Sequence, residues 1–136
     1  MELATKKQRF IAAVADGVIV GVPYVLGSLE SVPTPLRLVG VLASLALLIV
    51  QLVMVAKHGQ TLGKRFLGIR IVLKDTGENG GFVVNVVKRG FLNGLLSLIP
   101  GYFLLDSLFI VREDRRCIHD MIAGTVVIQA EPAVVQ

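Results

Sequence analysis

Three long runs of apolar residues dominate the chain, at residues 10–29, 38–56 and 90–111. A helix rises about 1.5 Å per residue, so about 20 apolar residues span the roughly 30 Å hydrocarbon core of a bilayer. The first run has this length, and the second has nearly this length and contains no charged residue. These two runs therefore predict two transmembrane helices.

The third run, at residues 90–111, is interrupted by Pro100-Gly101, which divides it into halves of about ten residues. A single crossing would place Arg112, Arg115 and Arg116 outside, against the rule that basic residues stay in the cytoplasm. A broken helical hairpin that returns to the cytoplasm satisfies this rule, provided that protein covers its turn. A third full span is the alternative.

Two short segments have the β-branched character of strands, at residues 68–74 and 125–129, and a glycine-rich turn follows the first. An isolated strand leaves backbone groups unpaired, so these segments are predicted to form a small cytoplasmic two-stranded sheet. The expected fold is thus a single, mostly α membrane domain over residues 1–136. It has a basic cytoplasmic segment at residues 57–89, and residues 112–136 end in a cytoplasmic carboxyl terminus.

Composition and charge agree with this interpretation. Hydrophobic residues make up 54% of the chain, whereas about 45–50% is typical of soluble domains. Only four of the 24 charged residues lie within residues 10–56 and 90–111. The excess of Lys and Arg flanks the apolar runs, which indicates membrane orientation rather than nucleic-acid binding. The amino terminus and residues 57–89 are therefore expected in the cytoplasm of a bacterium, with the chain in its inner membrane.

Basic residues near the second and third runs predict a surface for anionic lipid headgroups. Residues 59–65 resemble a phosphate-binding loop, but His58 stands where that motif needs Gly and Arg65 where it needs Ser or Thr. A short interfacial helix explains the segment more simply. The residues expected on the basic surface are Lys64, Arg65, Arg70, Arg115 and Arg116.

Two acidic residues lie inside apolar runs, Asp16 in the first and Asp106 in the third. A carboxylate within a membrane costs about 2.5–3.5 kcal/mol on insertion scales, so it is expected to be paired, protonated or hydrated. Arg9, two turns before Asp16 on the same helix face, is one candidate counter-charge, and the cytoplasmic basic segments offer others. Intramembrane acids are functional candidates by default.

Three stretches together resemble the RDD family of membrane proteins. They are Arg9-Phe10 followed by Asp16, then residues 59–71, and finally residues 115–127. The resemblance implies that Arg9, Asp16 and Asp120 are the arginine and two aspartates for which that family is named. At the cytoplasmic surface Asp120 is expected to accept hydrogen bonds from Lys64, Arg65 or Arg70, or to cap a short helix through Met121 and Ile122.

The sequence favours no enzyme, cofactor or metal site. The two histidines, His58 and His119, have no metal-ligand spacing, and no residue grouping suggests a nucleophilic site. The single cysteine, Cys117, excludes a disulfide scaffold and is expected to be a free thiol.

Two functions from different classes remain. The first is a small proton- or ion-coupled transport module that acts as an oligomer. In this module Asp16, either alone or together with Asp106, exchanges a proton for a cation. The second is a non-transporting membrane scaffold or assembly factor that binds a partner protein or anionic lipid. Glycines four residues apart, at Gly17 and Gly21 and again at Gly90 and Gly94, predict close helix packing within the chain or in a homo-oligomer.

Overall fold

The computed structural model describes residues 2–130 and is mostly helical, with two long helices, α1 (Lys6–Ser28) and α2 (Thr34–His58). Thr5 starts α1 with a capping box, in which its side chain and that of Gln8 each accept a hydrogen bond from the other residue's backbone N–H. Gly59, in the left-handed conformation, ends α2. Both helices predicted from the apolar runs are confirmed, and each extends several residues beyond its run.

Glycines bring α1 and α2 together near the loop that joins them. A Cβ on Gly40 would lie 2.7 Å from the Pro23 carbonyl oxygen, and one on Gly27 would lie 2.8 Å from the Arg37 carbonyl oxygen. Ser44 Oγ donates to the Val20 carbonyl oxygen at 2.8 Å and adds a polar contact between the helices. This pair of helices packs closely on one face only.

The outer faces of α1 and α2 remain apolar and uncovered. Only 11% of the most apolar part of α1 and 17% of that of α2 is buried, and both helices are long and apolar enough to cross a membrane. The core helix of a soluble protein would be mostly buried. A Cβ on Gly17 or Gly21 would meet no atom within 4 Å, so these glycines make no close contact inside the described chain.

Short elements follow α2, and those outside the third apolar run form the polar end of the protein. They are α3 (Leu62–Phe66), β1 (Ile69–Leu73), a π-helix (Val83–Phe91), α4 (Leu92–Leu96), α5 (Tyr102–Leu108), a 3-10 turn (Phe109–Val111), α6 (Ile118–Ala123) and β2 (Thr125–Gln129).

The third apolar run is not one continuous helix. The π-helix and α4 run into each other, a turn at residues 97–101 follows, and α5 continues from Gly101, whose φ is +82°. Tyr102 Oη donates to Asn93 Oδ1 at 2.9 Å, which ties the second half to the first. Within residues 2–130, α1 and α2 are the two helices of membrane-spanning length. The break lies where Pro100-Gly101 predicts it.

The predicted two-stranded sheet is confirmed. β1 and β2 pair antiparallel over five residues each, with Ile71 opposite Val127. The amino-terminal segment adds a contact that the sequence does not indicate: Ala4 N donates to the Val127 carbonyl oxygen at 2.9 Å, and Leu3 forms a bridge with Ile128. The start of α1 is therefore fixed to β2.

Two asparagines attach the π-helix to the end of α2. Asn85, which is 3% exposed, donates through Nδ2 to the Val55 carbonyl oxygen at 3.1 Å and to Asn79 Oδ1 at 2.6 Å. Asn79 Nδ2 donates to the Ala56 carbonyl oxygen at 2.9 Å. These carbonyls belong to the last turn of α2, where the Val55 carbonyl also accepts from the Gly59 N–H. The contacts fix the segment that carries Arg89.

Candidate functional site: two buried carboxylate centres

A buried ion cluster joins three distant parts of the chain. Asp120, with no exposed side-chain surface, pairs through Oδ2 with Arg9 Nη2, and through Oδ1 with Arg89, whose Nε donates at 2.9 Å. Arg9 is itself 8% exposed and also donates to the Arg115 carbonyl oxygen. The cluster therefore connects α1, the π-helix and α6. It is called the Asp120 cluster below.

The local structure of α6 positions Asp120. It is the third residue of the helix, where its Oδ2 accepts from the Cys117 N–H at 3.1 Å and so caps the amino terminus. Arg116 supports the other end of this turn by donating to the Asp120 and Thr125 carbonyl oxygens. Burial alone would raise the pKa of Asp120, but the Arg89 and Arg9 guanidinium groups hold it well below its usual range.

Asp120 does cap a helix, but it accepts from the Cys117 N–H and not through Met121 and Ile122 as predicted, and the predicted cationic partners are wrong. Asp120 pairs with Arg9 and Arg89 instead of Lys64, Arg65 or Arg70. Because Arg9 pairs with Asp120, it is not the counter-charge of Asp16. The sequence places Arg9 and Asp16 on one face of α1. Arg9, however, lies near the start of this helix, and its side chain reaches α6.

Asp16 forms a second centre with the start of α3. Its Oδ1 accepts from the Gly63 N–H at 2.7 Å, and its Oδ2 accepts from the Thr61 hydroxyl. Lys64 Nζ lies 3.7 Å from Oδ2 and completes the pair. Gly63 is required for this approach, because a Cβ there would lie 2.5 Å from the Ala12 carbonyl oxygen. We call this set, Asp16, Thr61, Gly63 and Lys64, the Asp16 centre.

Lys64 is largely buried, in contrast to the predicted headgroup contact. Its side chain is 13% exposed and turns toward α1. Burial and the nearby Arg89 lower its pKa, Asp16 opposes both, and the result is a pKa of about 8 in place of the model-peptide value of 10.5. Lys64 is therefore a group that can gain or lose a proton at a pH close to neutral.

A third pair lies beside the Asp120 cluster. His119 Nδ1 is 2.8 Å from Asp106 Oδ2, and Asp106 Oδ1 accepts from the His119 backbone N–H at 3.1 Å. Asp106 thus faces α6, with 8% exposure, although the sequence places it in an apolar run.

Asp106, Cys117 and His119 bring one possible metal-ligand atom each within 4.8 Å of one another. Their surroundings do not favour a cation. Burial raises the pKa of Cys117 to about 11, so its thiol stays protonated, whereas metal binding needs the thiolate. Arg9 Nη2 lies 3.6 Å from the sulfur, and Arg89 Nη2 lies 3.2 Å from His119 Nε2. The Arg9 and Arg89 guanidinium groups already supply the positive charge that a cation would bring to these three residues.

The predicted basic surface is only partly present. Arg65 and Arg70 are exposed, but Arg115 and Arg116 are half-buried and donate to backbone carbonyls. Arg115 approaches the Leu3 and Ala4 carbonyl oxygens at 3.4 Å each, which supports the amino-terminal segment. These two arginines therefore stabilise the fold rather than present charge to lipid.

Two site residues were missed in the sequence. The sequence assigns Arg89 only to the basic cytoplasmic segment, and Thr61 only to the failed phosphate-loop comparison and the RDD-like stretch, without a role of its own. The signal for Thr61 was available, because a Thr before a glycine-containing short helix is a typical N-cap, and its side chain does accept from the Lys64 N–H. The pairing of Arg89 with a residue 31 positions later had no local signal.

The fold and site define a class: a small, mostly helical protein with two membrane-length apolar helices and a buried charged layer at one end. The model of the RDD family matches residues 3–124, and the chain belongs to this family. Family membership and the two apolar helices together indicate a membrane protein.

Two relatives are similar to the chain. The uncharacterized protein YckC of Bacillus subtilis is 42% identical over 78 residues, which cover 55% of this chain and 50% of the relative. An uncharacterized protein of Haemophilus influenzae is 26% identical over 133 residues, 94% of this chain and 79% of the relative. The chain thus spans about half the length of the first relative. No solved structure matches the chain.

Proposed function

We propose that the protein is a multi-pass protein of the bacterial inner membrane that exchanges a proton for a monovalent cation at the Asp16 centre. One contrast carries the proposal: Asp16 has free acceptor capacity beside a titratable lysine, whereas Asp120 has none. A carboxylate offers about four lone-pair sites. Asp16 uses two, for Gly63 and Thr61, and Lys64 at 3.7 Å lies beyond hydrogen-bond distance.

The ligands at this centre suit a hard cation. Carboxylate and hydroxyl oxygens are the ligands that such ions prefer, and Asp16 Oδ2 and the Thr61 hydroxyl oxygen both lie near Lys64 Nζ, at 3.7 and 3.5 Å. When Lys64 is protonated, its ammonium group neutralises Asp16. When a cation binds Asp16 instead, Lys64 releases its proton to water, and the net charge of the buried pair remains zero. One cation is exchanged for one proton.

The orientation proposed for the chain places the Asp16 centre at the cytoplasmic side. Lys6, Lys7 and Arg9 precede α1, and basic residues are frequent after α2, whereas the connection between the helices has few. The contact between Asp16 and α3 joins the first half of α1 to the segment after α2, which supports a common side for both. The relatives named above are bacterial. The described chain ends at residue 130, so the position predicted for the carboxyl terminus falls on residues outside it.

A transport path through a single copy is not formed by α1 and α2 alone, because two helices enclose little volume, and transporters are usually larger bundles. An uncovered apolar groove runs along α1, and its floor is formed by Gly17 and Gly21. The proposal therefore includes a homo-oligomer, in which helices of neighbouring copies approach along such faces.

A non-transporting scaffold that binds a partner protein or anionic lipid is the second candidate. The observation that favours it is the Asp120 cluster, whose charges are fully paired and whose role is structural. On this alternative, the Asp16 centre only holds α3 against α1, and the exposed Arg65 and Phe66 of α3 contact lipid headgroups.

Flux measurements in liposomes distinguish the two. Purified protein is reconstituted with a pH-sensitive dye inside, and an alkali cation is added outside. The transport proposal expects proton movement with the wild type and with Glu30→Gln, a control at an exposed acid. It expects loss of that movement with Asp16→Asn in protein that remains folded and keeps its oligomeric state. Equal proton movement with Asp16→Asn, or none with the wild type under several cation gradients, would leave the scaffold as the better account.

A further inference from the structure

The acceptor positions of the Asp120 carboxylate are filled from three directions. Oδ2 accepts from Arg9 Nη2 and from the Cys117 N–H at 3.1 Å. Oδ1 accepts from Arg89 Nε at 2.9 Å and lies 2.8 Å from Arg89 Nη2. A carboxylate has about four lone-pair sites, so an additional donor can bind Asp120 only by displacing one of these nitrogens.

His119 becomes such an additional donor when its ring gains a proton. Its Nε2 lies 3.2 Å from Arg89 Nη2 and 3.5 Å from Asp120 Oδ1. A guanidinium group only donates hydrogen bonds, so Nε2 accepts from Arg89 and carries no proton. The proton of the neutral ring is therefore on Nδ1, where it is donated to Asp106 at 2.8 Å.

We propose that His119 is a protonation switch that weakens the pairing of Arg89 with Asp120 by displacing one of its two nitrogens. Addition of a proton to Nε2 turns this acceptor into a donor, so the contact with Arg89 Nη2 becomes a contact between two donors. The nearest acceptor for the new N–H is Asp120 Oδ1. His119 then binds that oxygen, and Arg89 Nη2 leaves it.

The charged groups around His119 come from several elements. Asp106 faces it from α5, Asp120 and the Cys117 thiol from α6, and Arg89 from the π-helix. Two more cations contribute to the charge around Asp120, Arg9 from α1, which pairs with it directly, and Lys64 from α3. The switch thus lies between two carboxylates that favour the imidazolium and several cations that oppose it.

Protonation of His119 is expected to affect the attachment of the π-helix but not that of α1. Arg9 binds the other oxygen of Asp120 and the Arg115 carbonyl oxygen, so α1 stays attached to α6. Arg89 belongs to the π-helix, which leads directly into α4 and the third apolar run. Protonation of His119 therefore loosens this run from α6 and leaves α1 in place. The inference is independent of whether Asp16 exchanges cations.

Nuclear magnetic resonance tests the switch directly, because the chain has only two histidines. In a His58→Gln background, His119 is the only imidazole to be observed after ¹⁵N labelling of histidine in lipid nanodiscs. The neutral ring is expected to carry its proton on Nδ1. On lowering the pH from about 8 to about 5, where histidine ordinarily becomes charged, Nε2 should gain a proton and the Arg89 side-chain Nε–H resonance should shift.

A matched variant separates the switch from a general effect of pH. In His119→Gln, the amide Nε2 can donate to Asp106 and Oε1 can accept from Arg89, so the neutral contacts are retained without a titrating group. Its Arg89 resonance is expected to stay constant over the same pH range. A neutral His119 with its proton on Nε2, or an equal Arg89 shift in His119→Gln, would overturn the proposal.

Discussion

Arg9 and Asp120 are separated by 111 positions and form a buried ion pair, with side chains 8% and 0% exposed. The pair joins the first turns of α1 to α6 and places the amino-terminal segment against β2. Two charges removed from water need excellent geometry and further hydrogen bonds to be tolerated. Arg89, Cys117 and Arg115 supply those bonds, so the pair serves as the structural centre of the polar end.

Removal of one member of this pair should destabilise the protein strongly. Arg9→Gln leaves the Asp120 carboxylate buried with one cation fewer, and loss of one partner of a buried pair costs about 3–5 kcal/mol. The free energy of unfolding in detergent micelles measures this cost. The control is Arg112→Gln, which breaks an ion pair with Asp114 whose side chains are 54% and 34% exposed. That change should cost less than about 1 kcal/mol, and a cost as large as that of Arg9→Gln would contradict the account.

Asp120 should also determine how the protein responds to acid. Its pKa in the folded protein lies well below the ordinary value of 3.8, so the unfolded chain takes up a proton first as the pH falls. The stabilisation it provides is complete above pH 3.8 and is lost as the pH falls toward the folded pKa. The difference in unfolding free energy between wild type and Asp120→Asn is therefore expected to shrink below that pH. A difference that stays constant or grows would refute the assignment.

Lys64 should give a second rise of stability with pH, in the alkaline range. The folded protein releases the Lys64 proton near a pKa of about 8, whereas the unfolded chain retains it up to 10.5. Between these values the unfolded state binds more protons, so a rise in pH stabilises the folded state. Wild type should gain stability relative to Lys64→Met over this range. Lys57→Met, at an exposed lysine, is the control and should show no such pH dependence.

The glycines of α1 and α2 should differ sharply in their tolerance of a methyl group. In Gly40→Ala the new Cβ would lie 2.7 Å from the Pro23 carbonyl oxygen, so the helices must separate. Overpacking of this kind typically costs about 1–3 kcal/mol. Gly17→Ala meets nothing within 4 Å and should leave the unfolding temperature of the monomer unchanged. Equal destabilisation by both changes would mean that the two helices pack through a different face.

The sequence predicts elements whose signal is local. Apolar runs of membrane length predict α1 and α2, β-branched segments predict β1 and β2, and Pro100-Gly101 predicts the break in the third run. Asp120 as a helix cap also follows from neighbouring residues. In these cases the physical cause lies within a few residues of the element that it determines.

The charge pairings could not be predicted in the same way. Arg9 was considered as a partner of Asp16 because both lie on one face of α1, but tertiary contacts bring α6 and α3 to that face at different heights. Arg89 reaches Asp120 through a π-helix, a conformation with no simple residue signal. Gly17 and Gly21 show the converse, since a packing motif in the sequence has no partner within the described chain.

The exchange proposed at the Asp16 centre is tested most directly by proton release on cation binding. Purified protein in weakly buffered solution near pH 7, below the Lys64 pKa of about 8 so that Lys64 starts mostly protonated, receives an alkali cation, and the released protons are measured with an indicator dye. The account predicts about one proton released per cation bound by the wild type, cation binding without this release in Lys64→Met, and neither in Asp16→Asn. Release from Asp16→Asn equal to that of the wild type would contradict the account.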